Sequence, residues 1–203
     1  MGRTIYIVDD DDAVRASLHS LLSLRPNLIV RSYRSGDAFL QEVGEVDPGV
    51  LLLDIQMPGA GGFDVLKAIP SHVRLVPIVL TGEGNVAVAV DCMKAGAFDF
   101  IEKPYVPDAL LTLIDAAFTR LDQASEVERR TAAAKAKIAK LSPRETDTLR
   151  GLIEGRSNKI IAYELDISPR TVEIYRANLM DKLEVRTLSE ALRIAFAAGI
   201  IPD

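Results

Sequence analysis

Two aspartate-bearing stretches in this 203-residue chain have the types and spacing to do chemistry: Asp9-Asp10-Asp11-Asp12, and Asp54 at the end of Val50-Leu51-Leu52-Leu53. Carboxylates brought together repel one another unless a cation lies between them, and hard oxygen donors that leave room for water suit Mg²⁺. Thr81 adds a hydroxyl and Lys103 an ammonium, each just after an apolar run. A nucleophilic carboxylate, a divalent ion, a hydroxyl and a lysine are the parts needed to take up a phosphoryl group. Taken singly, each is an ordinary solvated residue at the end of a strand. Their convergence on one chemistry carries the reading.

The elements that must position these groups follow from the apolar patterning. Four apolar residues in a row before Asp54 predict a strand buried on both faces, as in parallel sheets, and Met57-Pro58-Gly59 breaks the chain into a loop. Thr4 to Val8 predicts a first strand, followed by a helix from about 12 to 24 with Ala13, Val14, Leu18, Leu21 and Leu22 on its apolar side. Leu28 to Val30 predicts a second strand, and Ser35 caps a helix reaching Val43. Gly61-Gly62 leads into a helix through Phe63, Leu66 and Ile69 that Pro70 closes. Val76 to Leu80 is a fourth strand, Asn85 to Lys94 a helix stopped by Gly96, Phe98 to Ile101 a fifth strand, and a further helix begins near Pro107. Five such βα units predict an α/β doubly wound, five-stranded parallel sheet with right-handed crossovers. In the common strand order 2-1-3-4-5, strands one and three are neighbours, which sets Asp9 and Asp10 beside Asp54.

Beyond Leu121 the texture changes. Residues 122–140 contain no Gly or Pro and are rich in Ala, Glu, Arg and Lys, so the fifth helix is expected to continue as a helical linker. Ala117, Leu121, Ala124, Ala134, Ile138 and Leu141 form a seam too thin for a coiled coil. Residues 141–203 predict an all-α domain of four short helices. Ser142-Pro143-Arg144-Glu145 and Thr187-Leu188-Ser189-Glu190 are capping boxes. Ser157 to Leu165, a turn at Asp166-Ile167, and Ser168-Pro169 opening a helix to Leu183 make a helix-turn-helix.

In that second helix Val172, Tyr175, Leu179 and Leu183 form a core stripe, while Arg170, Glu173, Ile174 and Ala177 share another face. An outer face mixing Ile and Ala with Arg and Glu suits the major groove of double-stranded DNA, where Glu accepts from cytosine and apolar groups meet the thymine methyl. Lys159, Thr171, Arg176, Lys182 and Arg186 are expected to meet phosphates. Charge supports only a local reading. Residues 1–124 hold 10 Lys/Arg against 17 Asp/Glu, and residues 141–203 hold 9 against 10, so the helical domain is not globally basic.

Residues 1–121 resemble a response-regulator receiver domain of flavodoxin-like fold, through Val8-Asp9-Asp10, Leu53-Asp54-Ile55-Gln56-Met57-Pro58-Gly59, Leu80-Thr81-Gly82 and Glu102-Lys103-Pro104. The resemblance implies that Asp54 is the phospho-acceptor and that Asp10, Asp54 and the Gln56 carbonyl bind Mg²⁺ directly, with Asp9 through water. It implies further that Thr81 and Lys103 hold the phosphoryl oxygens, that Pro104 is cis, and that Phe100 is the switch aromatic. Asp11 is instead expected to cap a helix. Residues 141–200 resemble the LuxR/NarL type of helix-turn-helix through Leu141-Ser142-Pro143-Arg144-Glu145, Ser157-Asn158-Lys159, Ile167-Ser168-Pro169-Arg170-Thr171-Val172 and Lys182-Leu183. Together the two resemble a FixJ-type transcriptional response regulator. Its implied partners are a sensor histidine kinase, DNA, RNA polymerase and, once phosphorylated, a second copy of the chain. In the fourth helix, Val88, Ala89, Cys92 and Met93 can supply the buried stripe. That leaves Val86, Val90 and Lys94 as an outward line beside Phe100, where this family dimerises.

Other classes fit less well. A phosphohydrolase working through an aspartyl phosphate would carry Asp where Gln56 stands and would turn over organic phosphates repeatedly. A domain that sequesters a partner protein would not bind DNA directly. No apolar run approaches ~18 residues, so no membrane span is expected. A single cysteine, Cys92, excludes an internal disulfide and fits a reducing cytoplasm. His19 and His72 are too few and too isolated to build a metal cluster.

Overall fold

A computed structural model describes residues 3–82 and 86–202, with the side chains of residues 86 and 87 left aside. The chain divides into two compact units, residues 1–124 and 125–203. In the first, β1 (Arg3–Val8), α1 (Asp12–Ser23), β2 (Leu28–Tyr33), α2 (Gly36–Glu42), β3 (Gly49–Asp54), α3 (Gly62–Ala68), β4 (Leu75–Thr81), α4 (Val86–Lys94) and β5 (Asp99–Glu102) alternate regularly. The expected helix start at Asn85 lies outside the described residues. The strands pair in parallel in the order β2-β1-β3-β4-β5.

Burial follows position in the sheet. All six residues of central β3 are buried, whereas edge strands β2 and β5 contain only half-buried and exposed residues. Because side chains alternate across a strand, the apolar runs feed two cores at once. Ile5, Ile7, Val50, Leu52, Ile78 and Leu80 pack on one face with Leu18 and Leu22 of α1 and with Leu110, Ile114 and Phe118. Tyr6, Val8, Leu51, Leu53 and Val79 pack on the other with Phe39 of α2, Val65 and Leu66 of α3, and Cys92 of α4. Each of these fully buried aliphatic side chains contributes about 1.5–3 kcal/mol of transfer free energy.

Three side-chain placements differ from, or refine, the sequence reading. Ala13 is exposed, whereas Val14 in the same first turn of α1 is half-buried and packs against the core. Met93 is 46% exposed rather than buried. Cys92 and Val88, one turn apart, take the inward positions, and Met93 falls three residues after Val90 on the outer side. Asp11 caps α1, accepting from the backbone N–H groups of Ala13 and Val14.

The helix α5 (Pro107–Ile138) is continuous, belonging to the first unit up to Ala124 and to the second beyond it. The second unit continues with α6 (Pro143–Ile153), α7 (Asn158–Glu164), α8 (Pro169–Leu183) and α9 (Leu188–Ala197). Ser142, Ser157, Ser168 and Thr187 each accept a backbone N–H at the start of one of these helices, and Glu145 and Glu190 complete the two capping boxes. Asp166 turns the chain between α7 and α8 in the left-handed conformation, φ 53°. Leu149, Leu152, Ile161, Val172, Leu179, Leu183, Ala191 and Ala195 form the core. Tyr175, expected in that stripe, is half-buried. No described helix is long and apolar enough to cross a membrane.

One ion pair ties α8 to α6. The Glu145 side chain, 4% exposed, accepts from Lys182 Nζ at 2.7 Å and from the Ser142 backbone N–H at 2.8 Å. Burial pushes the Glu145 carboxyl up, but Lys182 and Ser142 outweigh it and leave its pKa below the ordinary glutamate range. A depressed carboxyl pKa stabilises the fold above the ordinary range and ceases to do so as pH falls through the folded value. Lys182→Ala is therefore expected to lower unfolding free energy at neutral pH by about 1–2 kcal/mol, discounted for the half-exposed ammonium. Urea titrations should show the difference shrinking as Glu145 becomes protonated in acid; a pH-independent difference would contradict it.

Candidate functional site

Parallel pairing of β1 with β3 aligns Val8 with Leu53, so the next residue of each strand, Asp9 and Asp54, stands at the same rim. Both are buried, Asp9 completely and Asp54 to 6% exposure, while Asp10 is exposed. One carboxylate oxygen from each of Asp9, Asp10 and Asp54 lies within 4.8 Å of the others. Lys103, delivered by the end of β5, reaches between them, with Nζ 2.7 Å from Asp9 Oδ2 and 3.0 Å from Asp54 Oδ1. Thr81, the last residue of β4, is buried at the same rim, and its carbonyl accepts from the Lys103 backbone N–H at 2.7 Å. The peptide bond between Lys103 and Pro104 is cis.

Electrostatics follow from that crowding. Burial pushes the Asp54 carboxyl above the ordinary aspartate range, Lys103 draws it back, and Asp9 and Asp10 push it up again. For Lys103, burial works against the charged form, but hydrogen bonds to Asp9 and Asp54 override it and raise the ammonium pKa. Clustered carboxylates that already hold one cation have the donor chemistry for a hard divalent ion.

The loop after Asp54 is closed tightly. Gly62 N–H donates to the Ile55 carbonyl at 3.0 Å, and Ile55 N–H to the Leu80 carbonyl at 3.2 Å. A Cβ on Gly62 would stand 2.4 Å from the Asp54 carbonyl, so only glycine lets α3 begin this close to the strand. Gln56 is exposed on this loop. Phe100 lies on the outward side of β5 and is 39% exposed. On α4, Val90 is 44% exposed and Lys94 is exposed, whereas the Val86 side chain lies outside the described residues.

In the second unit, the structure separates the residues read as contacting DNA. Arg170, Glu173, Ile174 and Ala177 share an open face of α8, with Ile174 51% exposed and Arg170 3.4 Å from Glu173. Lys159 is exposed, and Arg176, half-buried, donates to Asn158 Oδ1 at 2.7 Å. The Thr171 hydroxyl is 2.8 Å from Ser168 Oγ, within the helix cap. Lys182 is engaged with Glu145 as described, which the sequence reading did not anticipate. Missed too was Arg15, whose guanidinium donates to the Asp9 carbonyl at 2.6 Å. Its one legible signal was a position three residues after Asp12 on the same helix.

Comparison with known proteins agrees with this architecture. Residues 5–115 match the response regulator receiver domain, and residues 139–195 match bacterial regulatory proteins of the luxR family. The chain is 42% identical over 200 residues to the transcriptional regulatory protein FixJ of Bradyrhizobium diazoefficiens, covering 98% of this chain and 97% of that protein. The crystal structure of full-length FixJ from B. japonicum is 40% identical, covers 98% of each chain and superposes with a TM-score of 0.59. The response regulator StyR, 31% identical, covers 97% of this chain and 99% of its own, with a TM-score of 0.79. With both domains matched in order and relatives alike along nearly their whole length, the chain belongs to the response regulators, transcription factors rather than enzymes, that join a receiver domain to a LuxR-type DNA-binding domain.

Proposed function

We propose that this chain is switched by phosphorylation of Asp54, with a sensor histidine kinase as donor, and that the phosphorylated form dimerises and binds specific DNA sequences. We read residues 1–121 as the receiver, 122–140 as a helical linker and 141–203 as the DNA-binding domain, acting in the cytoplasm with RNA polymerase as a further partner. The observation that carries the reading is the Asp54 carboxylate 3.0 Å from Lys103 and clustered with Asp9 and Asp10 at the rim. In the transfer, an Asp54 carboxylate oxygen attacks phosphorus in line, and the bond to the donor breaks. Lys103 then releases Asp54 Oδ1 and pairs with a phosphoryl oxygen, and the Thr81 hydroxyl donates to another. Asp9, Asp10, Asp54 and the Gln56 carbonyl would hold Mg²⁺, which when bound neutralises charge on the transferring group. Thr81 and Phe100 would relay the change to the outer face of the sheet. The expected test result is one phosphoryl group per chain from acetyl phosphate with Mg²⁺, read by intact mass, and none on Asp54→Asn. Uptake by that variant would move the acceptor elsewhere, and repeated turnover of organic phosphates would favour a phosphohydrolase.

For DNA, we assign base reading to Arg170, Glu173, Ile174 and Ala177, and phosphate contacts to Lys159, Thr171 and Arg176. Lys182 we assign to the internal pair with Glu145. The open mixed face of α8 supports this division. Such a nearly neutral domain gains affinity by presenting two reading helices at once. We place the dimer contact on Val86, Val90 and Lys94 of α4, next to Phe100, supported by the exposure of Val90 and Phe100. Val90→Asp is then expected to retain phosphate uptake but to stay monomeric in light scattering and to lose tight operator binding. A phosphorylated Val90→Asp protein that still dimerises would place the interface elsewhere.

A further inference from the structure

Asp10 presents a puzzle that its neighbours resolve. It is exposed, and its carboxylate makes no hydrogen bond or ion pair among the described residues, yet it lies within 4.8 Å of the buried Asp9 and Asp54 oxygens. A carboxylate on an unsupported loop would lose conformational freedom on binding a cation, weakening the site.

The support comes from the backbone on either side. A peptide unit is planar, so a directional hydrogen bond to one of its atoms restricts how the whole unit can turn. The peptide before Asp10 is held by its carbonyl, the Asp9 oxygen, which accepts from Arg15 Nη1 at 2.6 Å. The peptide after Asp10 is held by its N–H, that of Asp11, which donates to Asp9 Oδ1 at 2.9 Å. Both planes flanking the Asp10 Cα are therefore restrained, which narrows its φ and ψ and with them the direction of its Cα–Cβ bond. Arg15 Nη2 also pairs with Asp12. The Arg15 side chain is only 14% exposed, against 95% for Asp12, so most of it is shielded from solvent.

We propose that Arg15 is a positioning residue that aims the Asp10 carboxylate into the cation site. The inference rests on reading Asp9, Asp10 and Asp54 as a Mg²⁺ site. It has a sign that simple electrostatics does not share. A positive charge near the site repels a cation, so on Coulomb's law alone removing Arg15 should tighten Mg²⁺ binding. Losing the aim of Asp10 should weaken it.

The test is calorimetric titration of Mg²⁺ into the full chain without a phosphate donor. We compare wild type, Arg15→Met, Asp10→Ala and the double variant, with folding checked by circular dichroism. Methionine keeps an unbranched stem for packing but removes every donor. Arg15→Gln, with a shorter amide donor, serves the same comparison should the Met variant fail to fold. The Arg15 variant is expected to bind Mg²⁺ about tenfold more weakly, as for loss of other groups that orient metal ligands. On the Asp10→Ala background the same change should have no further effect, because Arg15 acts through Asp10. Unchanged or tighter binding in the Arg15 variant overturns the proposal, as does an equal loss on the Asp10→Ala background. A wild-type chain that fails to bind Mg²⁺ overturns instead the cation-site reading on which it rests.

Discussion

The repulsion among Asp9, Asp10 and Asp54 is the constraint on which the receiver unit depends. Two of these carboxylates are buried, where isolated ionised groups are costly. They are held there because β1 and β3 pair in parallel with Val8 opposite Leu53. The six buried residues of β3 and the two cores on either side of it make that pairing rigid. Lys103 offsets the repulsion from the far edge of the sheet, reaching Asp9 and Asp54 together. A site of this kind is poised. Its resting cation is a side chain shared between two carboxylates, 2.7 Å from Asp9 and 3.0 Å from Asp54.

The same economy governs the loops. Between Asp54 and α3 the backbone approaches so closely that Gly62 admits no Cβ. Between β1 and α1, Asp11 caps the helix while Arg15 and the Asp9 carboxylate hold the peptides around Asp10. The acidic run thus divides its labour. Asp9 bonds to Lys103, Asp10 is left open, Asp11 caps, and Asp12 pairs with Arg15. The basic residues of the second unit divide in a similar way. Lys182 and Arg176 are bonded to Glu145 and Asn158 on neighbouring helices, whereas Arg170 pairs with Glu173 along its own helix and Lys159 is exposed. The bonds of Lys182 and Arg176 help to fix α8 against α6 and α7.

Much of this was determined by sequence alone. Runs such as Val50 to Leu53 ending at Asp54 permit little but a buried parallel strand, and Ser142-Pro143-Arg144-Glu145 permits little but a helix start. Those signals are local, because apolar period, capping residue and chain breaker each act within a few positions. The parallel sheet followed from five repeated units, its order is the common one for such sheets, and the faces of α8 followed from a 3.6-residue period. Tertiary structure alone decided which polar atom meets which. Lys182 and Glu145 lie 37 residues apart, so no periodicity could assign their pairing. Ala13 and Met93 were misplaced because an apolar residue near a helix end, or beside a narrow buried stripe, is sorted by the neighbouring surface and not by its own type. Arg15 reads in sequence as a surface charge on a helix. Only the folded turn from β1 into α1 brings the Asp9 carbonyl within its reach, because a backbone carbonyl's direction depends on φ and ψ and leaves no mark in the residue alphabet.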